Sequence, residues 1–205
     1  MDYLVTMTTH VPDGTPEQAV EDIKAREAAH TRDLAAQGHI LRLWRPPLKP
    51  GEWRTLGLFA AAGQDQLGEV LASMPLHIWR TDEVTPLWPH PNDPVPARTS
   101  GGAPEFLISM TISVPEGTPE SAVAQSKASE AERAHELADQ GHLLRLWTPP
   151  AERGQWLTLG LWSAGSDAEM DAILESLPQY GWMTTQTTPL TPHPSDPAVS
   201  ADQHG

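Results

Sequence analysis

The sequence contains no cysteine, which removes disulfides, thiolate metal sites and a cysteine nucleophile together. Basic residues are scarce: 13 Lys and Arg stand against 27 Asp and Glu, for a formal charge of −14. A basic footprint for nucleic acid is therefore missing, and so is a polybasic patch for an anionic membrane surface. No apolar run approaches the ~20 residues that a membrane-spanning helix needs. The opening Met1-Asp2-Tyr3-Leu4 has no basic region leading into an apolar one, so no signal peptide is read there and a cytoplasmic protein is expected. There is no Gly-rich phosphate loop and no GxSxG elbow. Nine histidines are present, but none forms a helical HxxxH pair with a third ligand in view, so no metal site is expected.

What the sequence does have is a copy of itself. Shifted by 103 positions, it matches without a gap. Pro12-Asp13-Gly14-Thr15-Pro16-Glu17 falls on Pro115-Glu116-Gly117-Thr118-Pro119-Glu120, and Gln37-Gly38-His39 to Trp44 falls on Gln140-Gly141-His142 to Trp147. Roughly half of the aligned positions are identical, far above chance for a fixed register. A unit of this length is a small domain rather than a solenoid repeat. The reading is a first copy over residues 1–94, a linker over 95–104 rich in Pro, Gly, Ser and Thr, a second copy over 105–197, and a disordered tail over 198–205.

Within one copy, residues 3–10 alternate and are rich in β-formers. Val11-Pro12-Asp13-Gly14 ends that strand. Thr15 reads as an N-cap with Pro16 at the first helical position, and Gly38 as the stop of the long helix that follows. His39–Trp44 and Trp53–Ala61 read as strands. Leu67, Val70, Leu71 and Met74 have helical spacing, and Ile78–Leu87 reads as the last strand. The order is βαββαβ, the ferredoxin-like unit of an α+β fold. Its sheet has one face covered by helices and the other free to be buried by the second copy. The two copies are therefore expected to form an intramolecular pseudo-dimeric α/β barrel.

Two groups of residues carry candidate chemistry. On the long helix, Glu27 interrupts the apolar stripe of Val20, Ile23 and Leu34, and Glu130 does the same in the second copy. A carboxylate on a buried face has its ionised form disfavoured, which suits a general base near neutrality. Lys24 and Lys127 lie one turn earlier; a Glu–Lys pair at the stripe's edge that merely supports the helix is the plainer alternative. On the second strand, strict alternation puts His39 with Leu41 and Leu43 toward the helices, near Glu27. It puts Arg42 and Trp44 toward the inter-domain space, with Trp53 and Thr55. His142, Arg145, Trp147 and Trp156 repeat the pattern. An arginine among tryptophans suits the carboxylate of a small planar ligand; a salt bridge between the sheets is the alternative. His90 and His193, each between prolines, read as exposed turn residues.

Lys24-Ala25-Arg26-Glu27, Leu43-Trp44-Arg45, the run from Leu71 to Leu76, and Val84-Thr85-Pro86-Leu87 ending in His90-Pro91 resemble muconolactone Δ-isomerase. The likeness covers residues 3–94 and, more weakly, 106–197. It implies a ferredoxin-like fold and dimers that assemble into larger rings. It also implies a cofactor-independent shift of a proton within an unsaturated lactone acid of catechol degradation. This chain departs from that pattern in its fusion, its His39–Arg42 stretch and its enlarged Pro46–Glu52 turn.

The expected protein is thus an isomerase of a small unsaturated lactone or carboxylic acid, assembled as a homo-oligomer of the fused pair. Glu27, Glu130, His39 or His142 would act as base. Lys24, Lys127, Arg42, Arg145 and the tryptophans Trp44, Trp147, Trp53 and Trp156 would bind substrate. Arg133 stands where the first copy has His30, so Glu27 is preferred over Glu130 as base. A non-catalytic ligand-binding or assembly module, or a cyclase- or oxygenase-like relative in specialised metabolism, is the alternative.

Overall fold

In a computed structural model of the chain, residues 1–94, 100–151 and 155–201 are described. The first repeat forms β1 (Asp2–Thr9), α1 (Glu17–Ala36), β2 (Ile40–Arg45), β3 (Arg54–Ala60), α2 (Gln64–Ser73) and β4 (Arg80–Pro89). The second forms β5 (Glu105–Ile112), α3 (Glu120–Asp139), β6 (Leu143–Thr148), β7 (Trp156–Ser163), α4 (Asp167–Glu175), β8 (Met183–Pro192) and a short α5 (Pro197–Ala201). The α+β class and the βαββαβ order expected from the sequence are those of the chain.

Local chemistry sets the ends of these elements. Alternate residues of β1 are buried, with Tyr3, Val5 and Met7 facing the core. Gly38 sits at φ +78°, a left-handed position that favours glycine. Its N–H donates to Ala35 and that of His39 to Leu34, which closes α1 with a doubly bonded C-terminal turn. The N-terminus differs from expectation. Thr15 is not the cap: its hydroxyl donates to the Pro12 carbonyl, Pro16 takes the cap position, and Thr118 and Pro119 do the same in α3. The strand expected from Ile78 begins at Arg80, because Pro75–Trp79 winds into a 3-10 turn first.

The chain divides into two compact units, and their boundary is not the repeat boundary. Unit 1 is residues 1–87 together with 191–205; unit 2 is residues 88–190. In unit 1, β1 lies between β3 and β4, β2 flanks β3, and Thr191-Pro192 from the end of β8 add onto β2 opposite Arg45 and Trp44. In unit 2, β5 lies between β7 and β8, β6 flanks β7, and Trp88-Pro89 add onto β6 opposite Thr148 and Trp147. Each unit is thus completed by a segment that belongs, in sequence, to the other repeat. Residues 198–201, read from sequence as part of a featureless tail, lie in α5. Residues 95–99 of the expected linker and 202–205 of the expected tail lie outside the described residues.

The core of unit 1 gathers Val5, Leu34, Ile40, Leu43, Phe59 and Leu67; that of unit 2 gathers Ile108, Leu137, Leu143, Leu146, Trp162 and Met170. A glycine on each central strand admits the largest ring: a Cβ on Gly57 would run into Phe59, and one on Gly160 into Trp162. Among the described residues no helix is long and apolar enough to cross a membrane.

Candidate active site

Each unit holds one cavity between its long helix and its sheet. In unit 1 the cavity has a volume of about 490 Å³. The helix α1 supplies Lys24, Glu27 and Thr31, β1 supplies Met7 and Thr9, and the segment entering β3 supplies Trp53 and Arg54. Arg80 opens β4, and His193 arrives on the exchanged segment. The unit 2 cavity, about 450 Å³, is the same construction with Lys127, Glu130, Ala134, Trp156 and His90. Both are of the size that holds a small organic ligand.

The two glutamates are anchored alike. Glu27 Oε2 accepts the backbone N–H of Leu76 at 2.8 Å, and Glu130 Oε2 that of Gln179 at 2.9 Å. Burial raises both carboxyl groups above the ordinary glutamate value, and the backbone hydrogen bond offsets part of that rise. They differ in cations. Arg80 Nη1 lies 3.4 Å from Glu27 Oε1 and, with His30, further counters the rise there. The second repeat has Met183 at that place. Arg133, expected near Glu130, turns outward instead to Glu136 and Ser176. Arg133 is thus no counter-charge to Glu130, the ground on which Glu27 was preferred, and at Glu27 Arg80 is shared with Asp82, which itself favours the raised value. The lysines sit at the lip. Lys24 lies 5.2 Å from the Trp53 ring and bonds Glu21, while Lys127 lies 4.0 Å from the Trp156 ring.

His90 and His193 are the functional candidates that sequence reasoning passed over. Neither is an exposed turn residue; each is half-buried and walls a cavity. Asn92 N–H donates to Nδ1 of His90 and Ser195 N–H to Nδ1 of His193, both at 3.1 Å. With Nδ1 accepting, the neutral ring carries its proton on Nε2. Burial lowers both rings below the usual histidine value, opposed by Asp93 in one and Asp196 in the other. His193 falls to about 4, with Arg45 adding to the effect. Both histidines are held as neutral donors. Their signal was in the sequence: Pro89-His90-Pro91-Asn92-Asp93-Pro94 and Pro192-His193-Pro194-Ser195-Asp196-Pro197 differ at one residue.

The arginines on the second strands are occupied elsewhere. Asp196, fully buried, accepts from Arg42 Nε at 3.1 Å, Arg42 Nη2 at 3.0 Å and the Leu43 N–H at 3.1 Å. Asp93 takes Arg145 Nε at 3.2 Å and the Leu146 N–H at 2.6 Å. The guanidinium groups also stack on the buried rings of Trp44 and Trp147. None of these four residues lines a cavity, which corrects their assignment to substrate. His39 and His142 are displaced as well. A bulge between Ile40 and Arg42, and between Leu143 and Arg145, adds a residue and breaks the alternation on which their placement rested. Their Nδ1 atoms meet the carbonyls of Ala60 and Ser163, outside both cavities. Lys24, Glu27 and Trp53, with Lys127, Glu130 and Trp156, are the sequence candidates that the fold brings together.

Residues 1–93 and 105–196 each match the family described as Muconolactone delta-isomerase. The chain is 35% identical over 90 residues to a Muconolactone Delta-isomerase of Cupriavidus pinatubonensis, covering 44% of this chain and 95% of that protein. It is 33% identical over 90 residues to Muconolactone Delta-isomerase 1 of Acinetobacter lwoffii, covering 44% and 91%. Among solved structures, a chlorite dismutase from Candidatus Nitrospira defluvii superposes with a TM-score of 0.59 at 11% identity, over 93% of this chain and 91% of that one. A heme-binding protein from Thermus thermophilus gives 0.59 at 14% identity, over 98% and 94%. At these identities the two structures share the fold alone.

Proposed function

The chain belongs to the muconolactone delta-isomerase family in both of its repeats, and from that premise we propose that it is an isomerase moving a proton within a small unsaturated lactone or carboxylic acid. One observation carries the reading. A half-buried carboxylate, raised in pKa and bonded through only one oxygen to a backbone N–H, lines a small cavity beside a lysine and a neutral histidine.

These groups suffice to write the reaction. Glu130, or Glu27 in the other unit, takes a proton from the γ-carbon, allylic to the double bond that the carbonyl conjugates. The C–H bond electrons move into the π-system and the negative charge collects on the carbonyl oxygen. The Nε2–H of His90, or of His193, donates to that oxygen, a preorganised donor where charge develops. The same carboxyl group then returns the proton to the α-carbon of the dienolate, so the double bond has moved to the β,γ position and the atoms balance. Lys24 holds a substrate carboxylate at the lip of unit 1 against Trp53, and Lys127 stands at the lip of unit 2 against Trp156. Arg42 and Arg145 have a structural role, and His39 and His142 have none in the chemistry. Assembly of the fused chain into a homo-oligomer is part of this reading; the 3-10 turns leave Ile78 and Tyr180 exposed, and light scattering measures the assembly.

The test is exchange of solvent deuterium into muconolactone in heavy water. Glu27→Gln and Glu130→Gln are each expected to lose about two to four orders of magnitude at their own site. A double variant that folds normally and exchanges at the parent rate removes both glutamates from the chemistry.

A further inference from the structure

The two cavities have the same walls but not the same charge. Positions that supply Arg45, Arg54 and Arg80 in unit 1 supply Thr148, Leu157 and Met183 in unit 2, and all six line their cavity. Thr9 and Thr31 become Ile112 and Ala134, again both lining. Only Lys24 and Lys127 keep their positive charge. In unit 1, Arg80 is shared between Glu27 and Asp82, Lys24 bonds Glu21 and Arg54 lies 3.9 Å from Glu52, which leaves Arg45, beside His193, as the cation with no carboxylate partner among the described residues. In unit 2, Lys127 and Glu130 balance, and nothing remains to offset a second negative charge. Trp162, over Gly160, lines the unit 2 cavity, whereas its counterpart Phe59, over Gly57, does not line that of unit 1. The Trp162 indole N–H is buried, lines the cavity and has no acceptor among the described residues. A buried donor calls for an acceptor, and on a cavity wall an oxygen of a bound molecule can supply it.

We propose that the cavities are specialised for different charge states of one substrate class. Unit 1 takes a small acid as its carboxylate, and unit 2 takes an uncharged counterpart, such as an ester or unsubstituted lactone, whose oxygen accepts from Trp162. Anions are disfavoured in unit 2 because a second carboxylate beside Glu130 in a poorly solvated cavity meets like charge with one lysine to share. The inference rests on the isomerase reading for the substrate class. Its evidence is the change in polarity between equivalent walls.

The experiment uses binding alone, so it is independent of turnover. The probes are a saturated γ-lactone bearing an acetic acid arm and its methyl ester, neither of which can isomerise. The full chain is labelled with ¹⁵N at tryptophan indoles, and Trp53 and Trp156 report on one cavity each. The acid is expected to shift Trp53 at concentrations about tenfold below those that shift Trp156. The ester is expected to shift Trp156 and the buried Trp162 first. Arg45→Thr with Arg54→Leu should abolish the acid's preference for Trp53 while leaving the ester's titration unchanged. Trp162→Phe should weaken the ester alone. Equal affinity of either probe for both cavities, a preference of the acid for Trp156, or no shift from either probe at millimolar concentration overturns the proposal. Loss of exchange activity without loss of this split overturns only the isomerase reading.

Discussion

Replacing Asp196 by Ala removes the anchor of the exchanged segment in unit 1. The carboxylate is fully buried and accepts two guanidinium N–H groups and one backbone N–H. Removing one partner of a buried pair costs about 3–5 kcal/mol, most of it from the stranded charge. The Arg42 side chain keeps 17% exposure, so water relieves part of that penalty and the low end, about 3 kcal/mol, applies. Asp196→Asn keeps an acceptor for the Leu43 N–H and should recover about 1 kcal/mol of the loss. Asp93→Ala should cost less than Asp196→Ala, because Asp93 and Arg145 are both more exposed than their counterparts. Urea unfolding measures this. With a slope of about 1–3 kcal/mol per molar, the Asp196→Ala midpoint should fall by roughly 1–3 M. A double-mutant cycle with Arg42→Met should return about 1.5–3 kcal/mol of coupling. A loss under about 1 kcal/mol together with additive single variants would refute the view that this pair fastens the segment.

Gly160→Ala puts a methyl group into the Trp162 ring and should cost about 1–3 kcal/mol by overpacking; Gly160→Ala combined with Trp162→Leu should recover much of it, read by thermal unfolding. The pH dependence of stability carries the sign of His193. Its folded value of about 4 lies below the unfolded one, so between pH 6.5 and 4 the unfolded chain binds more protons and stability falls with acidification. Solvent reaching the half-buried ring makes the loss shallower than full burial would give. His193→Gln should flatten the acid side of a urea-midpoint profile, and an unchanged slope would contradict the burial. Glu27 and Glu130, raised above the unfolded value, act oppositely and gain stability as pH falls toward 4.5, so their Gln variants should steepen the same limb.

Much of the fold was legible because it rests on local chemistry repeated at a fixed offset. Gly38 and Gly141 stop the long helices by backbone necessity, and the β1 alternation names its buried face. Glu27 and Glu130 were legible because a helix with a 3.6-residue period leaves little freedom about which way they point. A strand is less forgiving: one bulge after Ile40 shifts every later residue to the other face, and no residue there announces it. Counted back from Leu43, that is why His39 was misplaced, whereas Arg42 keeps the face it shares with Trp44 and forms the salt bridge that was its alternative. Asp93 and Asp196 were missed for another reason. They lie in proline-rich segments at the very ends of the two copies, next to the expected linker and tail, and only their partners, 52 and 154 residues away, reveal what they do. The near-identity of the two Pro-His-Pro segments was the available clue.

Neither repeat encodes a whole cavity. His90 and Asp93 are written in the first repeat and serve unit 2, while His193 and Asp196 are written in the second and serve unit 1. A recombination that joined at the linker would therefore inherit a glutamate without the histidine that faces it. The heritable cassette is residues 88–190, an insert between Leu87 and Thr191, and not either gene half. Selection on one cavity acts on both halves of the gene. The two copies could drift apart at Arg45, Arg54 and Arg80, which stay with their own glutamate, yet had to keep one Pro-His-Pro signature in common, since each copy holds it in trust for the other.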